Sequence, residues 1–394
     1  MFHVLCYMFH VICFMWKKNK NFFLALSTLV GTIIGVGIFG IPYAVAQSGF
    51  AIGVFYLLVL GIAMVFVHLF YSEIILRTKG KHYLIGYAEK YLGEWGKGVA
   101  TFATIFGLYG SLLAYIVVAG DFLHTIFGNV AGGSPYIFSI IFFTIGAIFI
   151  YLGLKLVSKG ELIMTIFLLL TVAIIAIKGL PEIQIINLTE VNILNSLLPY
   201  GVILFAISGF TALPEVSRLL KKKAKLKNVV IWGTIIPVVI YLIFTFLVVG
   251  VSGAQTSEEA ISGLVAVLGD GITLLGAVFG FLAVATSFFV IGLNLKESLQ
   301  FDYKMNHSLA WALTVFIPFA IFVLGLRDFV EIISVVGVIM GGSVGILTVL
   351  MYRKAKKIGD REPEFSLRPW KYLGRFLIII FSLGILYEIW QVLM

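Results

Sequence analysis

Hydrophobic positions in this chain run in long unbroken blocks rather than alternating with polar ones. The blocks are too long for strands and too uniformly apolar for the surface helices of a soluble domain. A helix crosses the hydrocarbon core of a bilayer with about 20 apolar residues. Eleven stretches meet that length: 22–47, 51–76, 98–127, 134–154, 160–178, 194–219, 228–251, 262–293, 307–325, 329–352 and 374–393. The pattern predicts an all-α integral membrane fold with eleven transmembrane helices. Gly and Pro recur inside the blocks, which membrane helices tolerate better than soluble ones.

Composition points the same way. Of 394 residues 61% are hydrophobic and 12% charged, with a mean hydropathy of +1.09. Soluble domains carry about 25% charged residues, and a soluble fold could not hide so much apolar surface. Cys6 and Cys13 offer neither a disulfide framework nor a metal-ligand spacing.

The net charge of +9 would suggest nucleic acid in a soluble protein, but its distribution gives another account. With Lys17, Lys18 and Lys20 on the cytoplasmic side and the spans alternating, only Lys178 and Arg327 of the 28 Lys and Arg residues fall outside. That is the positive-inside bias, and it predicts an N-in/C-out, multi-pass protein of the cell (inner) membrane. The run Arg218 to Lys227 (RLLKKKAKLK) is then a topology determinant beside anionic headgroups, and no nucleic-acid partner is expected. Residues 1–21 form an N-terminal cytoplasmic or peripheral segment. Its first 14 residues read as a mis-called start, with Met15 as the true one. Residues 353–373 read as a solvated cytoplasmic linker to the last span.

Two blocks are interrupted in matching ways. The first reads GTIIGVGIFGIPYA (31–44) and the sixth YGVILFAISGFTALPEVS (200–217). Gly37 precedes Pro42 as Gly209 precedes Pro214, and both pairs are offset by 172 residues. An odd number of spans per repeat inverts the second copy. Residues 22–178 and 194–352 therefore form two inverted five-helix repeats, and 374–394 is an added helix. Gly permits non-helical backbone and Pro removes a donor. Lipid cannot satisfy the groups so exposed, so they must line a cavity. The freed N–H groups at the start of a half-helix suit a carboxylate, and freed carbonyls suit an ammonium or Na⁺. The bland alternative is that these glycines only allow close helix packing.

The stretch GTIIGVGIFGIPYAVAQSGF resembles the first helix of the amino acid–polyamine–organocation superfamily, which has the LeuT fold of inverted five-helix repeats. Together with FAISGFTALPEVSRLLKKK it looks most like the hydroxy/aromatic amino acid permeases, which include tyrosine and tryptophan permeases. It is also similar to the amino acid/auxin permeases. The resemblance covers about residues 17–394. It implies that the N–H groups of Gly35, Val36 and Gly37 hold a substrate carboxylate. Carbonyls near Ile33 and Ile34, with those of Phe205, Ala206 and Ser208, would take the amino group. Phe210 would lie by the side-chain pocket, and Tyr115 (or Tyr109, less than two turns away) would form a gate or wall.

The resemblance also bears on the coupling ion. Thr286 and Ser287 lie in FLAVATSFFVIGLN, where two hydroxyls by themselves read as back-bonded to the preceding turn. Ala283, Thr286 and Ser287 nevertheless match the spacing by which LeuT-fold transporters complete a Na⁺ site, with the carbonyls of Gly31 and Ile34 as partners. Hard cations favour such oxygen ligands. Span 5 carries lysine only at its ends (Lys159, Lys178), so no lysine stands in for the ion. Na⁺ is therefore the expected coupling ion, with H⁺ as the alternative, because the aromatic permeases are regarded as proton-coupled. Glu215 and Asp121 are then the acids available for proton transfer or gating. Glu215 reads equally as a helix cap, Glu73 as a partner of Arg77, and Glu331 and His307 as span-end residues.

No phosphate-binding loop, HExxH motif or nucleophile–base set is present, and GVGIFG lies inside a span with no βαβ unit around it. The chain is therefore not expected to be an enzyme, and no cofactor is expected. The reading is a monomeric, ion-coupled importer of neutral amino acids, with aromatic ones as candidates, working by alternating access in the lipid bilayer. The rivals are a polyamine or other small-amine transporter on the same fold, and a channel or non-transporting sensor.

Overall fold

The computed structural model describes residues 20–153, 160–301, 304–368 and 371–393. The segment before Lys20, with Met15 and the start it would define, lies outside the described residues, as does Lys159. All regular structure among the described residues is helical.

Each apolar block coincides with a helix or an interrupted helix. The first is α1 (Lys20–Ile33) with α2 (Gly37–Ser48), bent by 49° at the junction. Then follow α3 (Phe50–Arg77), a short α4 (Leu84–Leu92), α5 (Glu94–Ala131), α6 (Pro135–Leu152) and α7 (Gly160–Gly179). The sixth block divides into α8 (Leu198–Ala206) and α9 (Leu213–Leu219). Beyond it lie α10 (Leu226–Ser252), α11 (Val265–Leu268), α12 (Asp270–Phe301) and α13 (His307–Val323). The tenth block comprises α14 (Phe329–Val336), a π-helical turn Gly337–Gly341 and α15 (Gly342–Ile358), and the last is α16 (Lys371–Leu393). Among the described residues seven helices are long and apolar enough to cross a membrane, and the bent α1–α2 pair makes an eighth.

Lipid is the solvent of the outer surface. On α6, Ile137, Ile141, Ile145 and Ile148 recur at helical spacing and are about half exposed, while Phe138, Phe142 and Phe143 turn inward. α5 packs chiefly on α12 and α6, and α3 packs on α10 and α15. The short α8 sits between α2 and α14, so the two interrupted blocks share the middle of the bundle.

The segment between α7 and α8 is not a free loop. Its Asn192 N–H donates to the Ser48 carbonyl at 2.9 Å, and its Gln184 N–H to the Gly250 carbonyl at 2.9 Å. Gly49 lets it lie so close. Its φ is +109°, and a methyl there would meet the Glu190 carbonyl oxygen at 2.5 Å.

At the basic end, the linker that follows α15 is docked rather than simply solvated. Glu73, fully buried near the end of α3, pairs with Arg77 at 2.8 Å. It also accepts from the Leu367 N–H at 2.7 Å and the Ser366 hydroxyl at 3.1 Å. Asp360 accepts from Lys90 of α4 and from the Lys79 N–H. These bonds from Lys90 and Lys79 hold its carboxyl below the usual range.

Candidate functional site

At the first interruption the Gly35 N–H turns back to the Ile33 carbonyl at 2.8 Å instead of extending the ladder to Gly31. The ladder restarts with Ile38 N–H on Gly35 (3.4 Å) and Phe39 N–H on Val36 (3.1 Å). Val36 occupies the N-cap of α2 without a side-chain cap. The first N–H groups of a helix have no intrahelical acceptor, so those at Gly37 are left for a ligand, and the helix end favours an anion. A methyl on Gly35 would meet nothing closer than the Thr32 carbonyl at 4.0 Å, so this glycine borders open space. Gly31 and Gly35 are partly accessible, whereas Ile33, Ile34, Val36 and Gly37 are buried.

The second interruption is longer. α8 closes with the Ile207 N–H on Ile203 at 2.9 Å, Ser208 N–H reaches Phe205 at 3.2 Å, and α9 begins with Pro214 in its first turn. The two prolines of the sequence frame therefore do different things. Pro214 starts a half-helix, but Pro42 lies inside α2, which continues through it. The break before α2 comes from the glycines, not from Pro42.

The interruptions touch. A methyl on Gly37 would sit 2.6 Å from both Cα and Cβ of Ala206, and one on Gly209 would meet Ile33 Cγ1 at 2.6 Å. Tyr241 of α10 ties them together. Its hydroxyl donates to the Ile33 carbonyl at 2.6 Å and lies 3.1 Å from the Ala206 carbonyl. On the other side of the second break, its Gly209 N–H donates to Nε2 of His68 from α3 at 3.3 Å.

These bonds revise the carbonyls available to an amino group. Ile33 already accepts from Gly35 N–H and Tyr241, Ala206 is engaged by Tyr241, and Phe205 accepts from Ile207 and Ser208. In this structure those three carbonyls serve the breaks themselves. Ile34 and Ser208 remain, and no backbone N–H among the described residues donates to either.

On α12, Ala283, Thr286 and Ser287 are all partly accessible. The Thr286 hydroxyl stands 2.9 Å from the Ala283 carbonyl, so these two oxygens are already neighbours on one face. Gly31, at the first break, loses the Gly35 N–H as its ladder donor because that group turns to Ile33.

The remaining predicted residues fall as follows. Phe210 is buried with its ring edge-on to His68 at 6.3 Å, so it packs behind the break. Tyr115 is buried on α5, and Tyr109 is half-buried on the same helix. Glu215 is exposed in the first turn of α9 and pairs with Arg218 at 3.3 Å. Asp121 feels Glu258 and Glu259 of the α10–α11 connection. Glu331 is exposed at the start of α14, and exposed His307 packs edge-on to Tyr151 at 4.9 Å. Sequence reasoning missed His68, Thr234 and Tyr241. The signals were present: a histidine inside an apolar span is unusual, and Thr234 and Tyr241 are two helical turns apart on one face.

Comparison with known proteins identifies the family and supports the fold. Tyrosine-specific transport system 1 of Haemophilus influenzae is 26% identical over 389 residues, covering 91% of this chain and 94% of that protein. Glutamine transporter 2 of Aliivibrio fischeri is 25% identical over 333 residues, covering 82% and 86%. The fold matches that of MhsT, solved in complex with L-phenylalanine, with a TM-score of 0.66 at 15% identity over 93% of this chain and 97% of that one. Residues 18–391 match the tryptophan/tyrosine permease family. The chain belongs to that family of multi-pass membrane transporters, and it is not an enzyme.

Proposed function

We propose that this protein is a secondary active transporter that imports neutral amino acids, aromatic ones included, by ion-coupled alternating access. The observation that carries the reading is the meeting of the two broken helices at Gly37 and Ala206. The uncapped start of α2 belongs to one of these breaks, and carbonyls without a backbone donor among the described residues belong to both. A zwitterion needs donors for its carboxylate and acceptors for its ammonium within a few ångströms, and one junction offers both. The Gly35 N–H expected at the carboxylate is taken by the Ile33 carbonyl, so the N–H groups of Val36 and Gly37 would face the carboxylate, and the Ile34 and Ser208 carbonyls the ammonium. The names of the tyrosine and glutamine transporters among its relatives support an amino acid as cargo.

Na⁺ is the coupling ion we favour over H⁺. The carbonyls of Gly31, Ile34 and Ala283 with the hydroxyls of Thr286 and Ser287 would make a neutral all-oxygen set, which suits a hard monovalent cation. Of the acids considered for proton transfer, Glu215 is exposed and paired with Arg218. We further infer eleven spans in N-in/C-out orientation, because each apolar block has a helical counterpart and the Lys and Arg residues segregate. A monomer contains both halves of this site.

Counterflow in proteoliposomes tests the reading. Internal unlabelled amino acid should accelerate entry of labelled amino acid by exchange. Entry that ignores internal substrate and rises without saturation would identify a channel.

A further inference from the structure

His68 is fully buried in the middle of α3, within the otherwise apolar run MVFVHLFY. Its Nε2 lies 3.3 Å from the Gly209 nitrogen and its Nδ1 2.9 Å from the Thr234 hydroxyl. One arrangement of protons satisfies both contacts. A backbone N–H can only donate, so Nε2 carries a lone pair and Nδ1 the proton. Nδ1–H then donates to Thr234, whose own hydroxyl donates to the Val230 carbonyl at 2.9 Å. The ring is a neutral imidazole with every group satisfied. Against it stand Thr234 from α10 and Gly209 and Phe210 from the break. Among the described residues no carboxylate or cation acts on it.

The contact to Gly209 fixes more than one N–H. A peptide unit is planar and trans, so its C=O points opposite to its N–H. The unit that presents the Gly209 N–H to His68 therefore aims the Ser208 carbonyl away from α3. Ser208 lies on the side where Gly341 of the π-helical turn approaches, since a methyl on Gly341 would come within 3.3 Å of its hydroxyl. Gly209 has no room to drift, because Ile33 fills the space over its Cα.

We propose that His68 is a positioning residue for substrate: it clamps the Ser208–Gly209 peptide so that the Ser208 carbonyl accepts from the ammonium of the amino acid. This rests on the amino acid reading above. His68 does not touch the cargo and stays neutral through the cycle.

The test compares wild type with His68→Leu, His68→Gln and Thr234→Val in proteoliposomes. It uses a labelled amino acid that wild type takes up, with two unlabelled competitors: the same amino acid and its des-amino carboxylate analogue. His68→Leu should raise KM for the amino acid about tenfold, the scale of one buried hydrogen bond. Inhibition by the des-amino analogue should change by less than about twofold, so discrimination for the amine collapses. His68→Gln should recover part of the loss, because its amide oxygen can accept from Gly209. Thr234→Val should fall between wild type and the leucine variant. KM should follow the same course between pH 5.5 and 8 in wild type and His68→Gln.

Unchanged amine discrimination in His68→Leu would overturn the proposal. So would a pH-dependent KM in wild type that flattens in His68→Gln, which would make the ring a titrating group. Should the leucine variant fail to give a monodisperse protein in detergent, Thr234→Val carries the test. Wild-type KM and discrimination in that variant would then contradict the clamp. Absence of amino acid uptake by wild type would instead defeat the functional reading itself.

Discussion

Gly37 packs on the backbone of Ala206, with no space between them for a methyl group. The two residues belong to interrupted helices that lie far apart in the chain, and their contact brings the start of α2 against the end of α8. Substitution at Gly37 must push one break away from the other, and overpacking of this kind costs about 1–3 kcal/mol. Gly37→Leu is expected to abolish substrate binding while leaving expression and detergent monodispersity largely intact. Direct binding of labelled amino acid to purified variant protein checks it, and wild-type affinity would move the site elsewhere.

Tyr241 holds the same junction through its hydroxyl, donated to Ile33 within reach of Ala206. Tyr241→Phe keeps the ring and removes the proton that both carbonyls draw on. Leaving buried acceptors unsatisfied costs about 1–3 kcal/mol. The variant should therefore melt several degrees lower in detergent and show a raised KM. An unchanged melting temperature and KM together would remove Tyr241 from the account.

The ion site makes a separate demand. Ser287→Ala and Thr286→Val each delete one proposed oxygen ligand without touching either break. Each should raise the Na⁺ concentration for half-maximal uptake, by about tenfold if the lost ligand is worth one hydrogen bond. Uptake measured against Na⁺ at fixed pH decides, and an unaltered Na⁺ dependence in both variants would count against this site.

The linker after α15 should respond to acid in one direction only. Bonds from Lys90 and Lys79 lower the carboxyl of Asp360, so the docking it contributes is fully present above the ordinary carboxylate range of about 4. It is lost as pH falls through the lowered value. Trypsin cleavage at Arg361 should be equally slow from pH 8 down to 6 and faster in Asp360→Asn at every pH in that range. Equal rates in wild type and variant would show that Asp360 does not hold the linker.

Much of this architecture was legible because the bilayer imposes it. Runs of about 20 apolar residues have few other uses, so each apolar block became a helix or a broken helix. The glycines around Gly35 and Gly209 marked the breaks because unwound backbone inside a membrane needs a reason. Pro42 misled, since a proline near a break is not its cause when neighbouring helices accommodate the ring. That Tyr241 engages the carbonyls of Ile33 and Ala206 was not legible, because its place against them depends on how α10 packs. His68 and Gly209 likewise meet only in three dimensions, as do Glu73 and Leu367, which are 294 positions apart. The amphipathic α4 was passed over because nine residues with a few buried aromatics leave little trace in a hydropathy profile.

The central claim is ion-driven amino acid transport through the junction of the two breaks. Its most direct measurement is uptake of a panel of labelled neutral and aromatic amino acids into proteoliposomes of the purified protein, with Na⁺ and pH gradients imposed separately. The account predicts saturable accumulation of at least one of them, driven by an inward Na⁺ gradient and lost in Gly37→Leu. No accumulation of any amino acid under either gradient would contradict it.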